Sequence, residues 1–147
     1  MALKGLLSDS KLVDFRIDYK APDSLLIFLQ ATPAYFHSIA LDMYKKMLFP
    51  TKNVDINPET WSITEIVCHL RDIDAEINLN RITNILNKKN YLVTGIETDH
   101  WATERNYQSQ DLFNAIRDFA KKRMKLTRLL KEAPSSVWSL ILQHSFL

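Results

Sequence analysis

The stretch Trp61-Ser-Ile-Thr-Glu-Ile-Val-Cys-His-Leu-Arg-Asp72 constrains this chain more than any other. Ser62 followed three residues later by Glu65 has the form of a capping box, in which each side chain satisfies the other residue's free backbone N–H. A helix that starts there advances by about 100° per residue, so from Glu65 it places His69 at about 40°, Asp72 at about 340° and Glu76 at about 20°. On the same count Ile66, Leu70, Ile73 and Ile77 occupy about 80–140°, which is the buried face. His69 therefore stands at the border between an apolar face and an acidic stripe. A metal ligand with carboxylates behind it needs such a place, and so does a general base with an orienting partner. A histidine at a core edge, hydrogen-bonded to Glu65 or Asp72, fits the same pattern.

Only two glycines occur in 147 residues. Hairpins and strand-rich folds consume glycine in their turns, so the scarcity favours helices joined by polar loops. The length predicts a single domain over residues 1–147 with a real core. Nineteen basic against 17 acidic residues give a net charge of +2, no argument for nucleic acid. The basic run Lys121-Lys-Arg-Met-Lys125 falls mainly on the polar side of its helix and reads as a solvated face. A lone cysteine, Cys68, rules out an intrachain disulfide and suits a reducing cytoplasm. Cys68 lies about 100° around the helix from His69, so it reads as packing. The N-terminus has no leader-like apolar run, and the apolar stretches Leu25–Leu29 and Val137–Leu142 fall far short of a membrane span. The expectation is a soluble cytoplasmic protein with no membrane partner.

Residues 1–22 read as an N-terminal arm. Asp23 or Ser24 then caps a short helical turn, and Thr32-Pro33 repeats the start signal for a longer helix to about residue 48. The second helix runs from Ser62 to about Lys89. A long irregular connection, roughly 90–108, carries Asp99-His-Trp-Ala-Thr-Glu104; such a length marks a functional loop or a crossover between helices. A third helix starts near Ser109 and ends before Pro134, and Ser135 or Ser136 caps a last apolar fragment. Two arginines point inward on this count: Arg123 on the third helix and Arg81 on the second, with Asn80 and Asn84 also inward. A buried arginine needs an acceptor, and Glu76, Asp99 and Glu104 are the candidates.

The pattern Trp61-Ser62-x-x-Glu65-Ile66-x-x-His69-Leu70-x-Asp72, then Arg81, resembles the DinB/YfiT-like superfamily of metal-binding four-helix bundles. Trp101-Ala-x-Glu104-x-x-Tyr107, Phe119-x-x-x-Arg123, Leu129-Leu130 and Trp138 extend the resemblance across roughly 22–142. It implies an all-α antiparallel four-helix bundle and a divalent metal, nickel or zinc, held by three histidines. His69 matches the one on the second helix, and Glu65, Asp72 or Glu76 would stand behind it, with Arg81 and Arg123 lining the pocket. Family members include metal-dependent thiol transferases and hydrolases acting on small molecules, and dimers are common.

The chain departs from that pattern at its end. The family's other two histidines lie four apart on a last helix, and no such pair occurs here; His37, His69, His100 and His144 are isolated. The last helix therefore reads as truncated and the metal site as incomplete, with His144 a candidate substitute ligand. His37 reads as a partly buried histidine and His100 as solvent-facing or packed. A bundle lacking its fourth helix exposes an apolar groove, which predicts a homodimer or higher oligomer. Two readings follow: a protein related to metal-dependent transferases or hydrolases, or a non-catalytic scaffold or ligand-binding bundle.

Overall fold

The computed structural model describes residues 22–48, 61–87, 92–138 and 143–145. These residues are mostly helical, as the all-α expectation requires. α1 spans Pro22–Leu48, α2 Ile63–Asp72, α3 Leu79–Leu86, α4 Trp101–Glu104, α5 Leu112–Lys131 and α6 Ser135–Trp138. β1, Leu92–Thr94, runs parallel to β2, Gln143–Ser145, with Val93 opposite His144. This three-residue pairing has no counterpart in the sequence reading. The expected arm before Pro22 and most of the 50–61 connection lie outside the described residues.

Helix starts follow their local chemistry. Ser62 caps α2 as a complete capping box: Glu65 N–H donates to the Ser62 hydroxyl, and the Glu65 carboxylate accepts from Ser62 N–H at 2.8 Å. α5 is capped by Asp111, whose carboxylate accepts from Asn114 N–H at 2.7 Å. Ser109, the expected start, instead closes the 3-10 turn Tyr107–Ser109 by donating to the Asn106 carbonyl. α1 is one continuous helix with Pro33 inside it, not a short turn followed by a second helix. Pro33 removes the N–H that Leu29 would have received. It is buried, and Thr32 hydrogen-bonds back to the Phe28 carbonyl at 2.9 Å.

Between α2 and α3 the helix widens into a π turn, Ile73–Asn78, closed by Leu79 N–H donating to the Asp74 carbonyl. Such a turn holds one residue more than α geometry would, so everything after it is set back by about 100°. Asn80 and Asn84, expected inside, are exposed, while Ile85 is buried and Ile82 and Leu86 are half-buried.

α5 is the helix on which the others lean, since α1 and the α2–α3 unit each pack chiefly against it. The core joins Ala40 of α1, Val67, Cys68 and Ile77, Trp101 and Tyr107 of the crossover, and Ala115, Ile116 and Phe119 of α5. One charged pair is buried with them. Arg123 Nε donates to Asp74 Oδ2 at 2.6 Å, with the two side chains 9% and 0% exposed. Asn78 donates to the other Asp74 oxygen at 2.9 Å, and the Arg123 guanidinium lies 4.9 Å over the Phe119 ring. The acceptor of the inward arginine is thus Asp74, which was not among the three acids considered. Two faces stay bare: α1 exposes Ile27, Phe28, Tyr35, Leu41 and Tyr44, and α5 exposes Phe113 and Met124. By length and composition Pro22–Lys46 also suffices to cross a membrane, and only 17% of its most apolar stretch is buried.

Removing one partner of the pair strands a buried charge, so Asp74→Ala should lower unfolding free energy by about 3–5 kcal/mol. Adding Arg123→Met should recover most of that loss, because both charges are then gone. Urea denaturation of the single and double variants checks this; a double variant no better than the single would contradict it.

Candidate functional site

His69 leaves α2 one turn after the capping box and lies between two indoles. Its ring centre is 4.9 Å from Trp61 and 6.3 Å from Trp101, both edge-on. Trp61 is the residue just before the cap, and Trp101 opens α4, so helix start and crossover together frame the ring. Burial pushes the imidazole below its ordinary value, against the opposing pull of Asp99 and Asp72. Nδ1 is buried and is the only such side-chain nitrogen or oxygen among the described residues without a hydrogen bond.

The acidic stripe serves a different purpose. Asp72 is 8% exposed and accepts three hydrogen bonds: Arg71 Nε at 2.7 Å on Oδ1, with Arg105 at 2.9 Å and the Tyr107 hydroxyl at 2.8 Å on Oδ2. Burial alone would raise its carboxyl, but the three donors outweigh it and hold the group below the usual aspartate value. Arg105 also grips Glu76 with both terminal nitrogens, at 2.6 and 3.0 Å, and lies 3.8 Å over the Trp101 ring. Gln110 extends the set. Its carbonyl accepts from Arg71 at 2.8 Å and from the Cys68 thiol at 3.4 Å, and its amide donates to the Arg105 carbonyl at 3.1 Å. Tyr107 is fully buried, and burial with its bond to Asp72 pushes the phenol well up. The layers run Trp61, His69, Trp101, Arg105 and the two carboxylates. They fasten the crossover to α2 and the π turn.

The structure therefore brings His69, Asp72 and Glu76 together beside the crossover, although neither of these acids, nor Glu65, hydrogen-bonds to the ring. Glu65 is committed to the cap, accepting also from the Ser62 hydroxyl at 2.7 Å. Arg123 is paired with Asp74 in the core, and Arg81 is half-buried on α3. His37 is exposed rather than partly buried, 5.9 Å from the Phe113 ring. His100 is exposed, with Nε2 3.7 Å from Glu104. The backbone of His144 sits on β2 beside Val93. Cys68 is fully buried and burial raises its thiol, which suits packing. Arg105 and Gln110 are residues the sequence reading passed over, while Tyr107 was quoted only as part of the resemblance, without a role. The signal for Arg105 was its place in a crossover too long to be a simple loop.

The nickel or zinc that the family resemblance implies finds no ready-made ligand set among the described residues. No three His, Cys, Asp or Glu side chains among the described residues converge as a metal-holding group. With Nδ1 buried, a metal would have to take Nε2, and a ligating imidazole usually donates its other N–H to a carboxylate or carbonyl. Nδ1 has no such acceptor among the described residues. No family model matches the chain, and neither a curated protein nor a solved structure is significantly similar to it.

Two titrations follow. The depressed Asp72 carboxyl adds stability that is fully present above 3.8, the ordinary value, and is lost as pH falls through the lower folded value. Asp72→Asn should cost about 2–3 kcal/mol at neutral pH and flatten that acid limb. For His69 the folded ring resists protonation while the unfolded ring takes its proton near 6.5, so stability falls as pH drops through 6.5 toward the folded value. Urea midpoints measured from neutral to mildly acidic pH should lose this slope in His69→Gln; an unchanged slope would assign it to another group.

Proposed function

We propose that the chain is a DinB/YfiT-like helical bundle that works by binding rather than by turnover, as a scaffold or ligand-binding module. One observation carries this reading: Asp72 already accepts three hydrogen bonds, from Arg71, Arg105 and Tyr107. A general base needs a proton affinity near the working pH. Asp72 lacks it, since its donors hold the carboxyl below the ordinary value. Glu76 is clamped by Arg105 and Glu65 by the helix cap. The order of the described helices, with a long α1, an interrupted second helix, a tryptophan-bearing crossover and a long α5, supports the family resemblance.

A second reading, a nickel- or zinc-dependent thiol transferase or hydrolase, draws on His69. Its ring lies in a niche walled by two tryptophans. Neutral imidazole, which burial favours here, is also the form that ligates metal.

Elemental analysis and titration calorimetry separate the two. Protein purified without chelator and then offered nickel or zinc should bind less than about one tenth of an equivalent, and its melting temperature should not move, because tight binding of a metal raises stability in proportion to ln(1 + [L]/Kd). About one metal per chain, lost in His69→Ala, would replace the first reading with the second.

A further inference from the structure

From Ser24 to Leu41 the sequence contains no Asp, Glu, Lys or Arg. A helix that is apolar on all sides is normally covered on all sides. Among the described residues, α1 is covered on one only. Leu26, Pro33 and Ala40 are buried, and they share the face turned to α5. About 100° around the helix lies a second line, centred on Ala34, in which every position is exposed.

That line is symmetric about its centre. Seven residues either side of Ala34 stand Ile27 and Leu41, exposed by 60% and 39%. Four residues either side stand Gln30 and Ser38, and eleven either side stand Asp23 and Lys45. All six lie within about 40° of Ala34 around the helix. A copy of α1 laid antiparallel, with a two-fold axis at Ala34, would set Ile27 against Leu41, Gln30 against Ser38 and Asp23 against Lys45. Each pair occurs twice, and the small alanine allows close approach at the axis. A parallel arrangement would instead set Asp23 against Asp23 and Lys45 against Lys45.

The flank of α5 completes the surface. Phe113 and Met124, 37% and 69% exposed, line a groove of about 720 Å³ with Gln30, Ala34 and His37. Twenty-seven helical residues extend about 40 Å. With the α5 flank, a strip that long covers on the order of 800 Å² per subunit, the size a stable pair requires. We infer that this face binds a second copy of the chain, the two α1 helices crossing antiparallel at Ala34. A lipid surface is the competing occupant for so apolar a helix; the paired charges and the hydrogen-bonding Gln30 and Ser38 favour the protein copy. The inference stands whether or not His69 binds a metal.

Sedimentation equilibrium and cysteine crosslinking test it on the whole chain. Wild-type protein should be a dimer at about 10 µM, and Ala34→Arg, at a solvent-exposed position, should weaken association at least about a hundredfold with unchanged helical circular dichroism. Asp23→Lys should weaken it about tenfold, and Asp23→Lys with Lys45→Asp should restore it. Under mild oxidation Ala34→Cys should link to itself. Ile27→Cys should link to Leu41→Cys in a mixture but not to itself; the buried Cys68 stays silent. Three results would overturn the inference: a wild-type monomer at about 100 µM, self-linking of Ile27→Cys with none between Ile27→Cys and Leu41→Cys, or monomers that sediment with phosphatidylcholine–phosphatidylglycerol vesicles.

Discussion

A carboxylate with no exposed surface has to be neutralised, and in this chain Asp74 meets that demand with Arg123, 49 positions further on. Asp74 lies at the start of the π turn, whose extra residue gives α2 and α3 separate phases, and both segments pack against the same helix, α5. Buried ion pairs seldom add net stability over well-packed apolar residues, yet a mismatched one is costly. The pair acts chiefly to make any other register of α2 against α5 expensive.

Asp72, two residues earlier, does the equivalent work toward the crossover. Arg105 and Tyr107 come from a segment of short turns that has few regular backbone bonds to hold it. Their convergence on one buried carboxylate, with Arg105 stacked on Trp101, gives that segment a defined seat. The arrangement that orders the crossover engages both oxygens of Asp72 and keeps the group ionised.

Much of the architecture was legible in the residues. The Ser62–Glu65 box, the inward direction of Arg123 and the unusual length of the 90–108 connection all pointed to what is found; the stripe expected on α2 did not, since Ile66 is exposed and Leu70 and Ile73 are half-buried while Val67 and Cys68 are fully buried. Two elements were not legible, for different reasons. A π turn has no residue-type signature; it arises because tertiary packing favours the shifted phase, so a count at a fixed angle per residue drifts without warning after Asn78. Pro33 carries a strong local signature that is overridden, since its ring lies on the buried face of α1 and neighbouring turns hold the helix together. Of the site, His69 beside the acidic residues was foreseen, but the destinations of those acids were not. Arg105 and Tyr107 approach from a segment whose path no helical periodicity predicts. The partner of Arg123 was at least inferable: an acid at the margin of the apolar face of a neighbouring helix is the counterpart an inward arginine requires.

The position of α5 has a consequence for a chain made from its N-terminus. α1 and α2 touch α5 far more than they touch each other, and Glu76 and Asp74 find their cations downstream, at Arg105 and Arg123, as Asp72 does in addition to its neighbour Arg71. While the ribosome is still upstream of Leu112, the emerging polypeptide carries an uncharged apolar helix with nothing to cover it and an aspartate that cannot yet be withdrawn from water. Domains assemble during synthesis at the pace of translation, about 5–20 residues per second. This fold must wait several seconds for its central rod, and during that interval the nascent chain is a natural client for chaperones.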